Sequence, residues 1–188
     1  MASMLLEKML LESGMPTDVK NVRVDQAVAG LLEDSVDIAI LHAGNVAAAE
    51  GIVQQTLLPW HAVLVSPQYY YWPRQDFRNR VRTFVWQPGT FAATLTERFA
   101  AVTPELDPSE SAHTGSYLSA LEMVRRGLPY QLVIPDIYLS RQDRRRLPCA
   151  APGEPIEDAL VALCREDARD RWGAYMAPEY WQRALRTS

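Results

Sequence analysis

Cysteine and histidine are scarce here, and phosphate-cradling glycine loops are missing. The 188 residues hold two cysteines and three histidines. Cys149 and Cys164 stand apart without any metal-ligand spacing, so both read as incidental thiols. No glycine-rich phosphate fingerprint and no Ser–His–Asp arrangement is visible. No apolar run reaches the roughly 18 residues that a membrane span needs. Met1-Ala2-Ser3 leads directly into an amphipathic stretch without the basic start and apolar core of a signal peptide, so the expectation is a cytoplasmic protein. A basic excess is also lacking. The net charge is −4 and the pI about 5.4, which argues against a large nucleic-acid-binding surface while leaving room for a local patch.

What is present is ordinary for a globular protein, at 48% hydrophobic and 22% charged residues. The length suits one compact domain or two small lobes. The most informative stretch is Ser111–Pro135. Ser111, Thr114 and Ser116 are possible helix N-caps. Apolar residues follow at helical spacing at Tyr117, Leu118, Leu121 and Val124. Glu122 stands four residues before Arg126, a spacing that pairs charges on one helix face. Gly127 can take the left-handed geometry that closes a helix. Gln131–Ile134 is apolar enough for a buried strand, which Pro135 ends because it has no N–H to donate.

Along the chain the patterns alternate between helix and strand. Met4 to Ser13 reads as a helix whose apolar residues cover more than one stripe, buried either within its own domain or partly against a second subunit. Asp18–Val24 reads as a strand, then Asp25 as the N-cap of a helix over Gln26–Glu33. Val36–Leu41 has the composition of a strand inside a parallel sheet. Thr56–Trp60 leads into a strand at His61–Val65, and the aromatic run Tyr69–Trp72 is either a pocket wall or a packed surface loop. Val81–Trp86 reads as a strand and Phe91–Ala100 as a helix opened by Gln87–Thr90. Ser109–His113 is a short strand of poor pattern. Arg141–Arg146 reads as a solvated turn or short helix. Pro148–Pro155 is a loop, Ile156–Cys164 a strand in preference to a short helix, and Pro178 starts a closing helix over Glu179–Leu185. Trp172, Tyr175, Tyr180 and Trp181 are expected to pin this tail to the body.

Two segments carry a resemblance. Met123-Val124-Arg125-Arg126-Gly127-Leu128 through Ile134-Pro135, and Val28–Leu41 with Asp37 before its strand, resemble the effector-binding domain of LysR-type transcriptional regulators. Pro129 stands where that family usually has a second glycine, and a loop accepts proline when φ is already near −65°. Asp37 is expected to tie down the turn before its strand. The similarity in order and spacing runs from about Met4 to the C-terminus.

The resemblance implies an α/β, two-lobed fold like that of periplasmic solute-binding proteins, with two crossover strands. Residues 1–64 would form the first part of one lobe and 65–135 the second lobe. Residues 136–188 would return to the first lobe and end in the C-terminal helix. It implies a homodimer that senses a small-molecule effector in a cleft and passes the signal to DNA through a separate helix-turn-helix domain, with no cofactor and no membrane. Neither that helix-turn-helix nor the first lobe's first strand is legible before Met4.

Candidate ligand-binding residues follow partly from position. His42 stands at the C-terminal end of a strand, where open α/β sheets bind ligands, although a structural or solvent-exposed histidine is slightly favoured. His113 and Thr114 occupy the same kind of position. Thr90 and Gln87 offer donors beside a helix N-terminus. Ser66 would lie near the hinge, and Trp60 and Trp86 would supply apolar surface. Two other classes remain open. One is an interaction module that dimerises without a ligand. The other is an enzyme on the same broad fold, with His42 and His113 as an acid–base pair.

Overall fold

The computed structural model describes residues 18, 22–47, 49–68, 82–86, 88, 90–103, 106, 111–113 and 116–186. The expected first helix, the aromatic run Tyr69–Trp72, Gln87 and Thr114 lie outside them. No helix among the described residues is long and apolar enough to cross a membrane. The chain divides into two compact units, Met1–Trp60 with Asp158–Ser188, and His61–Glu157. The boundaries fall inside two strands, β2 (Ile52–Val65) and β7 (Glu157–Arg165). The second unit thus runs on to Glu157, past the Asp136 at which the sequence reading turns back.

In the first unit, helix α1 (Val24–Leu32) precedes strand β1 (Ala39–His42). The helix begins earlier than its sequence suggests. Val24 is its first residue rather than the end of a strand, and the N-cap is Arg23 rather than Asp25. Gln26 decides this by accepting the Arg23 backbone N–H at 3.1 Å, while Asp25 falls in the first turn, where a carboxylate suits the helix dipole. Asp34, with φ 60°, closes the helix in the left-handed role usually taken by glycine. The Gly30 carbonyl then accepts the backbone N–H groups of Ser35 and Val36 at 2.9 and 3.0 Å. Asp37, expected to tie this turn, is exposed and makes no hydrogen bond among the described residues.

β1 pairs antiparallel with β7, from Ala39 opposite Leu163 to His42 opposite Leu160. Leu160 to Cys164 is buried throughout, which identifies β7 as covered on both faces. Val161 and Leu163 join Ala27, Leu31 and Ala39 in one apolar cluster. Cys164 instead meets Met176, sulfur to sulfur at 3.1 Å. Met176 ends helix α5 (Arg169–Met176), an element the sequence reading leaves out, and helix α6 (Pro178–Arg186) follows. The weak apolar pattern of RDRWGAYM hides α5, which is held by its aromatics rather than by an apolar stripe. Trp172, Tyr175, Tyr180 and Trp181 form a run of ring contacts, and the Trp181 indole donates to the Tyr175 carbonyl at 2.7 Å.

In the second unit the strand order is β2, β5 (Tyr130–Pro135), β3 (Arg82–Val85), β4 (Ser111–His113), with β6 (Cys149–Ala150) also on β2. β2 is longer than its sequence suggests because Pro59 does not break it. Leu58, Trp60 and Ala62 are buried while Pro59 and His61 are exposed, so the proline sits on the outward side of a continuing alternation. β3 is parallel to both β4 and β5, whereas β2 runs antiparallel to β5. Helices α2 (Phe91–Ala101) and α3 (Tyr117–Arg125) both pack on β5. The four residues Leu132 to Pro135 are buried in consequence, and such a burial stabilises by roughly 1.5–3 kcal/mol per large aliphatic side chain.

The ends of α3 follow its sequence closely. Ser116 is the N-cap, accepting the Ser119 N–H at 3.4 Å. Gly127, with φ 75°, closes the other end. Its N–H bonds the Val124 carbonyl and that of Leu128 bonds Met123, at 3.0 and 3.2 Å, the double closure of a Schellman motif. Glu122 and Arg126 pair at 2.9 Å. The arginine-rich run forms helix α4 (Arg141–Arg146), opened by Ser140, whose hydroxyl accepts the Asp143 N–H at 3.1 Å.

Candidate functional site

The three mutually parallel strands of the second unit, β4, β3 and β5, end in one chemical theme. Trp86 follows β3 directly, Tyr117 opens the helix after β4, and Tyr138 lies in the short 3-10 turn after β5 (Asp136–Tyr138). Trp86 and Tyr117 are 4.5 Å apart between ring centroids, and Tyr117 and Tyr138 are 6.0 Å apart. Carboxyl ends of parallel strands are where open α/β sheets hold ligands, because loops and helix starts converge there. Trp86 and Tyr138 are 8% and 7% exposed, so the cluster is nearly closed by its own rings.

Two polar atoms in this cluster, the Trp86 indole nitrogen and the Tyr117 hydroxyl, are buried without a hydrogen-bond partner among the described residues. A buried polar group left unpaired costs about 1–3 kcal/mol, so both atoms gain from a partner such as water or a ligand. Burial, with Tyr138 adding to it, pushes the Tyr117 phenol well above the ordinary tyrosine range, and burial does the same to Tyr138. The cluster is therefore neutral over the whole physiological range. It offers aromatic faces, the Trp86 N–H donor and the Tyr117 hydroxyl, which can donate or accept.

The expected ligand residues fall in both units. Thr90 caps α2, its hydroxyl oxygen accepting the Ala93 N–H at 3.2 Å. Thr90→Ala should therefore lower stability by about 1 kcal/mol, with Thr90→Ser close to wild type in a urea titration. Ser66 follows β2, and its N–H bonds the Pro148 carbonyl at 3.0 Å. His113 is the last residue of β4, opposite Val85.

In the first unit, His42 ends β1 and meets Trp60 edge-on at 5.4 Å and 89°. Trp60 is 1% exposed, a core residue. Burial brings the His42 pKa down to about 4, against the opposing pull of the Asp158 carboxylate. Asp158 is engaged elsewhere, since both its oxygens accept the Gly44 N–H at 3.1 Å. A Cβ at position 44 would lie 2.9 Å from an Asp158 oxygen, so glycine there permits the close approach. His42, Trp60, Gly44 and Asp158 thus read as a packed strand end. Sequence reasoning missed Tyr117 and Tyr138 as members of the aromatic cluster, because Tyr117 matches the apolar spacing of its helix equally well.

No protein-family model matches the chain, and no curated protein is similar to it. Solved structures do match. A reduced form of OxyR from N. meningitidis superposes with a TM-score of 0.65 at 18% identity, over 98% of this chain and 89% of that one. The OxyR2 E204G regulatory domain from Vibrio vulnificus gives 0.66 at 14% identity, over 96% and 89%. CbnR, a LysR family transcriptional regulator, gives 0.54 at 15%, over 99% and 64%. Full-length CbnR with its target DNA gives 0.59 at 15%, over 98% and 66%. The chain has the mixed α/β fold of a LysR-type regulatory domain. It spans about two thirds of the CbnR chains it matches, 64% and 66% in the two structures.

Proposed function

We propose that this chain is an effector-sensing regulatory domain of the LysR type, reading a small molecule at the strand ends of its second unit. The observation that carries the site is the pair of unpartnered buried groups, Trp86 Nε1 and Tyr117 Oη, at the carboxyl ends of parallel strands. The likeness in fold to OxyR and CbnR over nearly the whole chain supports the class of function. In this reading the two units are the two lobes and β2 and β7 the crossover strands. Two copies of the chain pair, and DNA is reached through a separate domain.

The chemistry of the cluster favours a flat, uncharged or weakly charged effector with an oxygen able to accept from Trp86. Its binding would shift the population of arrangements that a partner copy and a DNA-binding domain respond to. A ligand-free interaction module is the second reading, favoured by how fully the rings close the cluster.

A thermal-shift screen of the chain against a metabolite library, with light scattering for mass, separates the two. The effector reading expects a saturable, dose-dependent rise for a flat acceptor-bearing compound. A stable dimer with no shift from any compound would favour the interaction module.

A further inference from the structure

The second unit also holds a cavity of about 670 Å³, lined by Gln68, Arg125, Arg126, Gln142, Asp143 and Arg146 among others. It lies at the far end of α3 from Tyr117, about 12 Å along the helix at ~1.5 Å per residue. We propose that this cavity is a second binding site that takes a small metabolite through its phosphate group. The inference does not depend on the effector reading.

The charge balance points this way. Three guanidiniums and one carboxylate line the cavity. Asp143 is fully engaged. It takes the Arg125 Nε and Nη2 groups at 2.7 Å each, and its Oδ2 also takes the Ser140 N–H at 3.0 Å and hydroxyl at 2.7 Å. Glu122 serves Arg126 Nε at 2.9 Å and approaches Arg125 Nη1 at 3.6 Å. Two carboxylates thus offset two arginines. Among the described residues Arg146 meets only the neutral Gln142 amide, whose oxygen, turned toward it, accepts at 2.9 and 3.2 Å. One positive charge is left over, and the terminal nitrogens of Arg126 carry no hydrogen bond among the described residues.

A run of arginines is ordinarily a solvated face. Here Arg125 is fixed by its carboxylate at the wall of a concavity, and the donors a ligand would meet belong to the exposed Arg126 and Arg146. Guanidinium forks match phosphate oxygens in pairs, which favours phosphate over a lone carboxylate. The volume falls within the roughly 300–1,000 Å³ of small-molecule pockets, which leaves room for more than a bare phosphate.

Isothermal titration of the full chain with inorganic pyrophosphate, at constant ionic strength, tests this. Saturable one-to-one binding is expected, weakened at least tenfold by Arg126→Ala and by Arg146→Gln. Arg145→Gln removes the same charge from an exposed neighbour outside the cavity lining and should leave binding unchanged. Circular dichroism on each variant checks that the fold is kept. The absence of saturable binding would overturn the proposal. So would an equal loss in Arg145→Gln, or a short DNA duplex binding with equal dependence on Arg145 and Arg146. Either result would assign the face to general charge attraction.

Discussion

Arg125→Ala should cost about 3 kcal/mol of unfolding free energy, toward the lower end of what breaking one side of a buried ion pair removes. Asp143 is 5% exposed, and Arg125 supplies two of its charge-assisted bonds at 2.7 Å. With the guanidinium gone, Ser140 alone would hold a nearly buried carboxylate. For a protein of this size the loss should lower the melting temperature by about 6–12 °C. Replacing both residues, Arg125→Leu with Asp143→Leu, should cost less than Arg125→Ala, because no charge is then stranded.

The same pair fixes a low-pH signature. Burial works to raise the Asp143 pKa, but the bonds from Arg125 and Ser140 outweigh it and hold the carboxyl below its ordinary value. A carboxylate with a depressed folded pKa stabilises fully above its unfolded value near ~3.9. That stability is lost as pH falls through the folded value, so the effect of Arg125→Ala should shrink in strong acid.

Stability should also fall between about pH 6.5 and pH 4, by about 3 kcal/mol, from His42 alone. The sign follows from its folded pKa of about 4 against the ordinary 6.5. Between those values the unfolded chain takes up a proton that the folded strand end refuses. The contribution is complete above pH 6.5 and absent below 4. Urea titrations across this range check it, and His42→Gln, which cannot titrate, should flatten the profile there. The window lies above that of Asp143, so the two effects separate along the pH axis. A slope unchanged in His42→Gln would assign the titration to other groups.

The legible parts of the fold were those governed by neighbours in sequence. Ser116, Gly127 and the Glu122–Arg126 pair act within a few residues, and all three stand where spacing places them. Thr90 was legible as the opening of its helix, with its hydroxyl turning out to be the cap. What could not be read were contacts set by the fold. Arg125 and Asp143 are 18 residues apart, and Gly44 and Asp158 are 114 apart. Asp143 sits in a charge run that looks solvated, yet it is buried. In the aromatic cluster, Trp86 was legible from sequence only as apolar surface at the close of its strand. Tyr117 and Tyr138 reach it only through the sheet's parallel order, which periodicity does not encode.

Tyr117→Phe isolates the buried hydroxyl, through melting temperature and binding of the screen's best compound measured on wild type and variant together. An unpartnered buried hydroxyl disfavours the empty protein, so its removal should raise stability by about 1 kcal/mol. If that hydroxyl is kept for a ligand, affinity should fall about tenfold, the loss of one hydrogen bond. A variant that melts higher and binds more weakly is expected. A variant that binds the compound as tightly as wild type would contradict it, and would move the effector site away from these strand ends.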